Sequence, residues 1–377
     1  MFRTYTARPL FFSLLLLTLL CSISIAQQEA FKAVLLMDAR TGEVLYAENE
    51  HTPLPPASMV KMMTELIVLE HVAGGDLSAD DTVTVSAKAS NMGGSQVYLK
   101  HGETFTVQEL LMALAIQSAN DAAVALAEHL AGSVSAFVEL MNTRAAELGM
   151  HDTSFHFVHG LPPAGGQQSD LSSAYDMALL GREVAKFPDA LEWAMMDQVP
   201  FRDGLFLLTN PNPLVGKFRG LEGIKTGYTS QAGFCLTAAA SQKGVRLISV
   251  VMGAPTNEGR GRETTRLMAR GFNMYTRLTL VAEAGEPLPE AWPVAGGKEK
   301  NIVLNFSEPL IIGVQKERTA DVVFEFDLPD KLAAPVMAGD EVGSATATLD
   351  GRALGEVRIL AASTVEKGSF WQRLFQR

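Results

Sequence analysis

The sequence predicts an α+β fold followed by a small all-β domain. Three observations predict it. Strand-like runs lie at both ends of residues 31–251, a helix-rich stretch lies between them, and short alternating runs punctuated by turn signals follow about Tyr275. The first strand is Ala33–Asp38, which turns over Asp38-Ala39-Arg40-Thr41-Gly42 and returns through Glu43-Val44-Leu45-Tyr46. Helical periodicity runs from about Ser58 to about Phe187, clearest over Val107–Ile116 and residues 121–131, 136–148 and 173–187. Strands are expected at 233–240 and 246–251. Distant strands bracketing a helical middle imply one sheet closed by both ends of the domain. Past Tyr275, residues 301–304, 321–326, 343–349 and 356–360 alternate, with Ala338-Gly339-Asp340 and Asp350-Gly351 as turns. The expected organisation is a leader at 1–26, an α+β domain at 27–276, a β-rich domain at 283–362 and a tail at 363–377.

The 377 residues are 47% hydrophobic and 19% charged, a globular composition with material for two domains. The formal net charge is -11, and no Lys/Arg stripe of the kind a nucleic-acid binder needs is present. Arg3 and Arg8 precede a short apolar run, Leu10 to Leu20, and Ser22-Ile23-Ser24-Ile25-Ala26 places small residues before a cut after Ala26. That is the layout of a secretory signal peptide, and the run is too short for an ordinary transmembrane helix. Leu20 is too bulky for lipid attachment at Cys21. Losing Arg3 and Arg8 changes the formal charge from -11 to -13. Cys21 leaves with the leader, so Cys235 has no intramolecular partner. Its apolar setting reads as a structural thiol. At the other end, a helix over Phe370-Trp371-Gln372-Arg373-Leu374-Phe375-Gln376-Arg377 gathers aromatics opposite arginines, which reads as an interfacial membrane anchor.

Three short motifs carry chemistry. Ser58-Met59-Val60-Lys61 follows Pro55-Pro56-Ala57 at an expected helix start, with Met59, Met62, Met63, Leu66 and Ile67 forming the buried stripe. Three residues apart, Ser58 and Lys61 lie one above the other. A serine hydroxyl becomes a nucleophile only when a base takes its proton, and Lys61 is that base if its neutral form is populated. About one S-x-x-K is expected by chance in a chain this long, so the motif alone carries little. Ser118-Ala119-Asn120 falls between two helical runs, where a hydroxyl and an amide can project into a cleft or simply cap a helix. Lys225-Thr226-Gly227 sets a cation and a hydroxyl beside a glycine, just before the strand at 233–240, where a substrate backbone can approach. These motifs start 60 and 107 residues apart. The order S-x-x-K, S-x-N, K-T-G is the signature of penicillin-binding proteins and class A β-lactamases.

With these residues the chain resembles the low-molecular-mass penicillin-binding proteins that act as serine-type D-alanyl-D-alanine carboxypeptidases. The resemblance covers nearly the whole chain after the leader. It includes Asp38–Gly42, Asn120-Asp121-Ala122, Leu148-Gly149-Met150, His159-Gly160-Leu161, Leu221–Thr229 and Val251-Met252-Gly253-Ala254. It implies a penicillin-binding/β-lactamase-like domain, an antiparallel sheet with a helical cluster, and a β-rich second domain. It implies Ser58 as nucleophile, Lys61 as base, Ser118 and Lys225 as the proton path to the leaving D-alanine, and Asn120 as the group that orients the peptide. Lys225, Thr226, Gly227, Tyr228 and Arg260 would bind substrate, with Arg262 competing with Arg260 for the carboxylate and the N–H groups of Ser58 and Tyr228 forming the oxyanion hole. The implied substrates are peptidoglycan stem peptides, and the implied covalent inhibitors are β-lactams. The implied place is the periplasmic face of the bacterial inner membrane, held peripherally through the tail, with no cofactor and no metal. Ala119 stands where many members have glycine, Tyr228 where some have histidine, and no arginine occurs near Asn210-Pro211-Asn212-Pro213. A class A β-lactamase would add a glutamate in an E-x-x-L-N context, which Glu139-Leu140-Met141-Asn142 only echoes. A non-catalytic penicillin-binding sensor or scaffold is the alternative from another class.

Overall fold

A computed structural model of the chain describes residues 31–163 and 165–369. The expected leader at 1–26 and residues 370–377 of the expected anchor lie outside the described residues.

The first domain is built on a five-stranded antiparallel sheet. Its strands are β1 (Ala33–Asp38), β2 (Val44–Glu48), β3 (Leu221–Thr229), β4 (Gly233–Gln242) and β5 (Val245–Ala254), in spatial order β2-β1-β5-β4-β3. The two ends of the domain therefore share one sheet, as expected. Strand β1 is apolar over its first five residues because both of its faces are covered. Ala33, Leu35 and Met37 join the helical core, while Val34 and Leu36 join a second cluster on the opposite face. The helical core contains α1 (Lys61–Gly74), α2 (Val107–Ile116), α3 (Asn120–Ala131), α4 (Val134–Glu147) and α5 (Ala174–Val184). Helix α2 starts where expected because Thr106 and Glu109 form a capping box. Helix α4 begins two residues earlier than expected, since Ser133 accepts from Ala136 N and caps it there.

Lys225-Thr226-Gly227 precedes β4 as expected, and it lies itself within edge strand β3, with Lys225 opposite Thr237 and Gly227 opposite Cys235. Two expectations are corrected. Ser58 is not in the first turn of α1 but in a 3-10 turn, Ala57–Val60, that leads into it. An 18-residue helix, α6 (Asn257–Met274), covers the second face of the sheet and was not expected from periodicity. Its apolar stripe is diluted by polar residues and glycines. Gly271 has a packing reason: a Cβ there would sit 2.5 Å from Leu247 and 2.8 Å from Leu36.

The second domain is all-β, but its bounds differ from those expected at both ends. Tyr275–Val281, ahead of the expected start at 283, already pairs with Leu310–Gln315, and Val281 belongs to the second core. Val365, expected in the tail, is buried in that core and bonds Val336 in both directions at 2.8–3.0 Å. The turn after β1 joins the domains. Arg40 donates to Leu354 O at 3.1 Å and Gly313 O at 3.0 Å, and Tyr275 OH donates to Asp38 Oδ2 at 2.7 Å.

Candidate active site

Ser58 is fixed by close packing at the end of the sheet. Ala57 just before it holds a left-handed φ of 51°. Gly160, at φ 75°, approaches so closely that a Cβ would lie 2.0 Å from Ala57 O and 3.1 Å from Ser58 N. Gly227 on β3 closes the other side, where a Cβ would meet Pro56 O at 2.6 Å and Ser58 N at 3.2 Å. Gly160→Ala should therefore displace Ser58. We expect about a hundredfold loss of acylation rate by a fluorescent penicillin, because an ångström of misplacement costs roughly that much. Stopped-flow labelling measures it, and an unchanged rate would show that the loop yields.

Lys61 is fully buried, and its Nζ donates to His159 O at 2.8 Å and to Ser58 Oγ at 3.0 Å. Burial, helped by the charge of Lys225, lowers its pKa well below the ordinary lysine value, against the opposing charges of Asp121 and Asp170. A neutral amine beside a hydroxyl is the arrangement that general-base activation of serine requires.

The junction between α2 and α3 carries Ser118 and Asn120, and neither side chain caps a helix. Ala119 occupies the cap position without a side-chain bond. Ser118 holds a left-handed φ of 62°, and its buried Oγ has no hydrogen-bond partner. Asn120 Nδ2 donates to Gly93 O at 2.7 Å, while its Oδ1 is buried and unpaired. Orphaned buried polar atoms of this kind mark a site that awaits another group. The neighbouring Asp121 anchors the loop opposite, accepting from Val97 N and Leu99 N at 3.0–3.2 Å.

Lys225 is also buried. Burial lowers its pKa to about 7, with Glu65 opposing the fall and Arg260 adding to it. Its Nζ donates to Thr226 O at 3.3 Å, so the structure does not bond it to Ser118. Arg260 reaches under β3 from α6 and donates to Cys235 O at 3.0 Å, Gly227 O at 3.5 Å, Pro211 O at 3.4 Å and Asn257 Oδ1. Each of these acceptors is neutral, which leaves a buried guanidinium suited to an incoming carboxylate. Arg262 is exposed instead. Tyr228 is 56% exposed and stacks on Phe234 with ring centroids 4.2 Å apart. The buried Cys235 thiol, pushed up to about 11 by burial, stays protonated.

Ser58, Ser118, Thr226, Gly227, Tyr228 and Arg260 all line one cleft of about 260 Å³. Lys61, Asn120 and Lys225 are buried with at most 2% of their surface exposed. Ser95, Pro211, Phe234 and Asn257 line the cleft as well and were missed from sequence. Only the adjacent Gly93-Gly94 pair gave a local hint of a close backbone approach. A Cβ on Gly94 would lie 2.8 Å from Asn120 Nδ2.

Known proteins resemble this chain over most of its length. The D-alanyl-D-alanine carboxypeptidase family matches residues 22–256, and the penicillin-binding protein 5 C-terminal domain family matches residues 277–367. The D-alanyl-D-alanine carboxypeptidase DacF of Bacillus subtilis is 38% identical over 90% of this chain and 87% of its own length. The crystal structure of penicillin binding protein 5 from Haemophilus influenzae superposes with a TM-score of 0.64 at 31% identity, covering 89% of this chain and 98% of that one. Penicillin-binding protein D2 from Listeria monocytogenes, solved in its ampicillin-bound form, superposes with a TM-score of 0.59 at 34% identity, covering 64% of this chain and 97% of that one.

Proposed function

The chain belongs to the D-alanyl-D-alanine carboxypeptidase family, and from that premise we propose that it removes the terminal D-alanine from peptidoglycan stem peptides through an acyl-enzyme on Ser58. The observation that carries the assignment of residues is Lys61 Nζ at 3.0 Å from Ser58 Oγ, in a setting that disfavours its charge. Lys61 takes the hydroxyl proton as Oγ bonds to the carbonyl carbon of the penultimate D-alanine. The oxyanion forms against the backbone N–H groups of Ser58 and Tyr228, and one such donor is worth about 2.7–4 kcal/mol of barrier. Collapse breaks the peptide bond, and the departing amine takes a proton delivered through Ser118 and Lys225. Water then releases the shortened peptide from Ser58. Asn120 orients the peptide through its unpaired Oδ1, while Arg260, Thr226 and Lys225 receive the terminal carboxylate. β-Lactams present a strained amide beside a carboxylate and enter the same path, a reading supported by the ampicillin-bound relative.

The test uses protein lacking residues 1–26 and 370–377, so that the β domain keeps Val365. It should release D-alanine from a peptide ending in D-Ala-D-Ala, and penicillin should label Ser58. Labelling without release would turn the reading towards a sensor or scaffold, and neither would overturn it.

The leader layout and the aromatic–basic tail support export and peripheral attachment at the periplasmic face of the inner membrane. Removing residues 370–377 should move the exported protein from the membrane pellet to the soluble fraction. An unchanged pellet would overturn the anchor.

A further inference from the structure

The loop that carries Ser95 into the cleft also presents an aromatic ring on a strained backbone. Tyr98 lies three residues beyond Ser95 and is 63% exposed. Its φ is 57°, in the left-handed region that a bulky side chain rarely adopts. Such a conformation persists only where the surroundings dictate it, and it gathers at ligand-binding sites. Here the surroundings dictate it from both sides. Val97 N and Leu99 N, which flank Tyr98, donate to Asp121 at 3.0–3.2 Å. Tyr98 O accepts from Arg202 at 2.7 Å, and Arg202 is itself held by Glu103 through two bonds of 2.8 Å. The ring is supported as well. It meets Phe206 edge to face with centroids 6.0 Å apart, and Phe206 packs in turn on Phe201 at 6.5 Å.

Tyr98 and its support are tied into the wall of the cleft. Asn120 N donates to Ser95 O at 2.7 Å, and Ser95 Oγ donates to Gln117 O at 2.6 Å. Gln117 Oε1 accepts from Thr209 N at 2.7 Å, at the end of the hairpin of Gln198–Phe201 and Phe206–Thr209 that carries Phe206. Two residues further on, Pro211 lines the cleft again. The cleft of about 260 Å³ is smaller than the roughly 300–1,000 Å³ that a site for a whole small ligand occupies. It suits the D-Ala-D-Ala end of a stem peptide, so the rest of the peptide and the sugar that bears it must lie on the rim. Arg202 is taken up by Glu103 and offers no free charge to a peptide carboxylate. Tyr98 offers a flat apolar ring with a phenol at its tip, which suits the C–H face and the hydroxyls of a sugar.

Resting on the function proposed above, we propose that Tyr98 is a specificity-determining residue, a stacking platform for the N-acetylated sugar that carries the stem peptide. The chain then prefers peptides still attached to glycan over free ones. This gives the strained backbone a use. Glycine at this position would adopt the same φ without cost, but it would lose the ring. The clamp by Asp121 and Arg202 fixes the ring before substrate arrives, so little ordering is left for binding to bear.

Two measurements on the full chain test this. The first compares kcat/KM for D-alanine release from a pentapeptide linked to its N-acetylated disaccharide with that from the same pentapeptide free. Wild type should favour the linked form by about tenfold, the scale of one well-placed aromatic contact. Tyr98→Leu keeps apolar bulk against Phe206 and should bring the ratio close to one, while Tyr98→Trp should restore it. The second is calorimetric binding of both peptides to Ser58→Ala, which forms no acyl-enzyme, with and without Tyr98→Leu. It should show the same preference without turnover. A wild-type ratio near one, or a ratio unmoved in Tyr98→Leu, overturns the inference. So does an equal fall on both substrates, since Tyr98 would then shape the cleft rather than extend it. A binding preference that Tyr98→Leu abolishes, in a protein whose wild type releases no D-alanine, upholds the platform and sinks the proposed reaction.

Discussion

Ser58→Ala is expected to lower D-alanine release by about a millionfold and to abolish penicillin labelling, with the fold intact. The magnitude is that of removing a serine nucleophile from a working catalytic group. The intact fold follows from what the hydroxyl touches. Ser58 Oγ accepts one bond, from Lys61 Nζ, and Lys61 keeps His159 O without it. The backbone at Ser58 is set by Ala57, Gly160 and Gly227, none of which the substitution alters. The thermal midpoint should therefore stay within a few degrees, corresponding to the roughly 1 kcal/mol of one hydrogen bond. Mass spectrometry of penicillin-treated protein decides the matter. A label retained at Ser118, which lines the same cleft, would move the nucleophile there.

The candidate site residues were legible because the three motifs occur together in one order and at such spacings, whereas S-x-x-K alone is expected about once by chance in a chain this long. Their roles as relay or cap were not legible. Ser118 and Asn120 are favourable capping residues by type, and only the structure shows that Ala119 holds the cap while their polar atoms remain unpaired. Sheet closure was legible because strand-like runs at both ends of the domain bracket a helical middle. Helix α6 was not, because its glycines serve close packing on Leu36 and Leu247 and thin out the apolar periodicity. Pro211, Phe234 and Asn257 reach the cleft from three separate segments, which no local pattern reports.

Lys61→Arg and Lys61→Met separate the base from the space it fills. Arginine cannot give up its proton in this range, so Lys61→Arg introduces a fixed buried cation and loses the base. Acylation by penicillin should fall by about 10⁴-fold, the upper range for a positioned general base. Lys61→Met removes the base and introduces no charge, so it should be as inactive, yet more stable than wild type. The unfolded chain binds a proton at this lysine up to the ordinary value of 10.5, whereas the folded protein, with the pKa lowered well below that, does not. Folding at a pH between the lowered value and 10.5 therefore releases a proton, and stability should rise with pH across that window. Methionine fits the buried, apolar surroundings and abolishes that slope. Urea unfolding at pH 6, 7.5 and 9 would measure it. A wild-type slope that persists unchanged in Lys61→Met would mean that Lys61 is charged in the folded protein, and the base would then have to be sought elsewhere in the cleft.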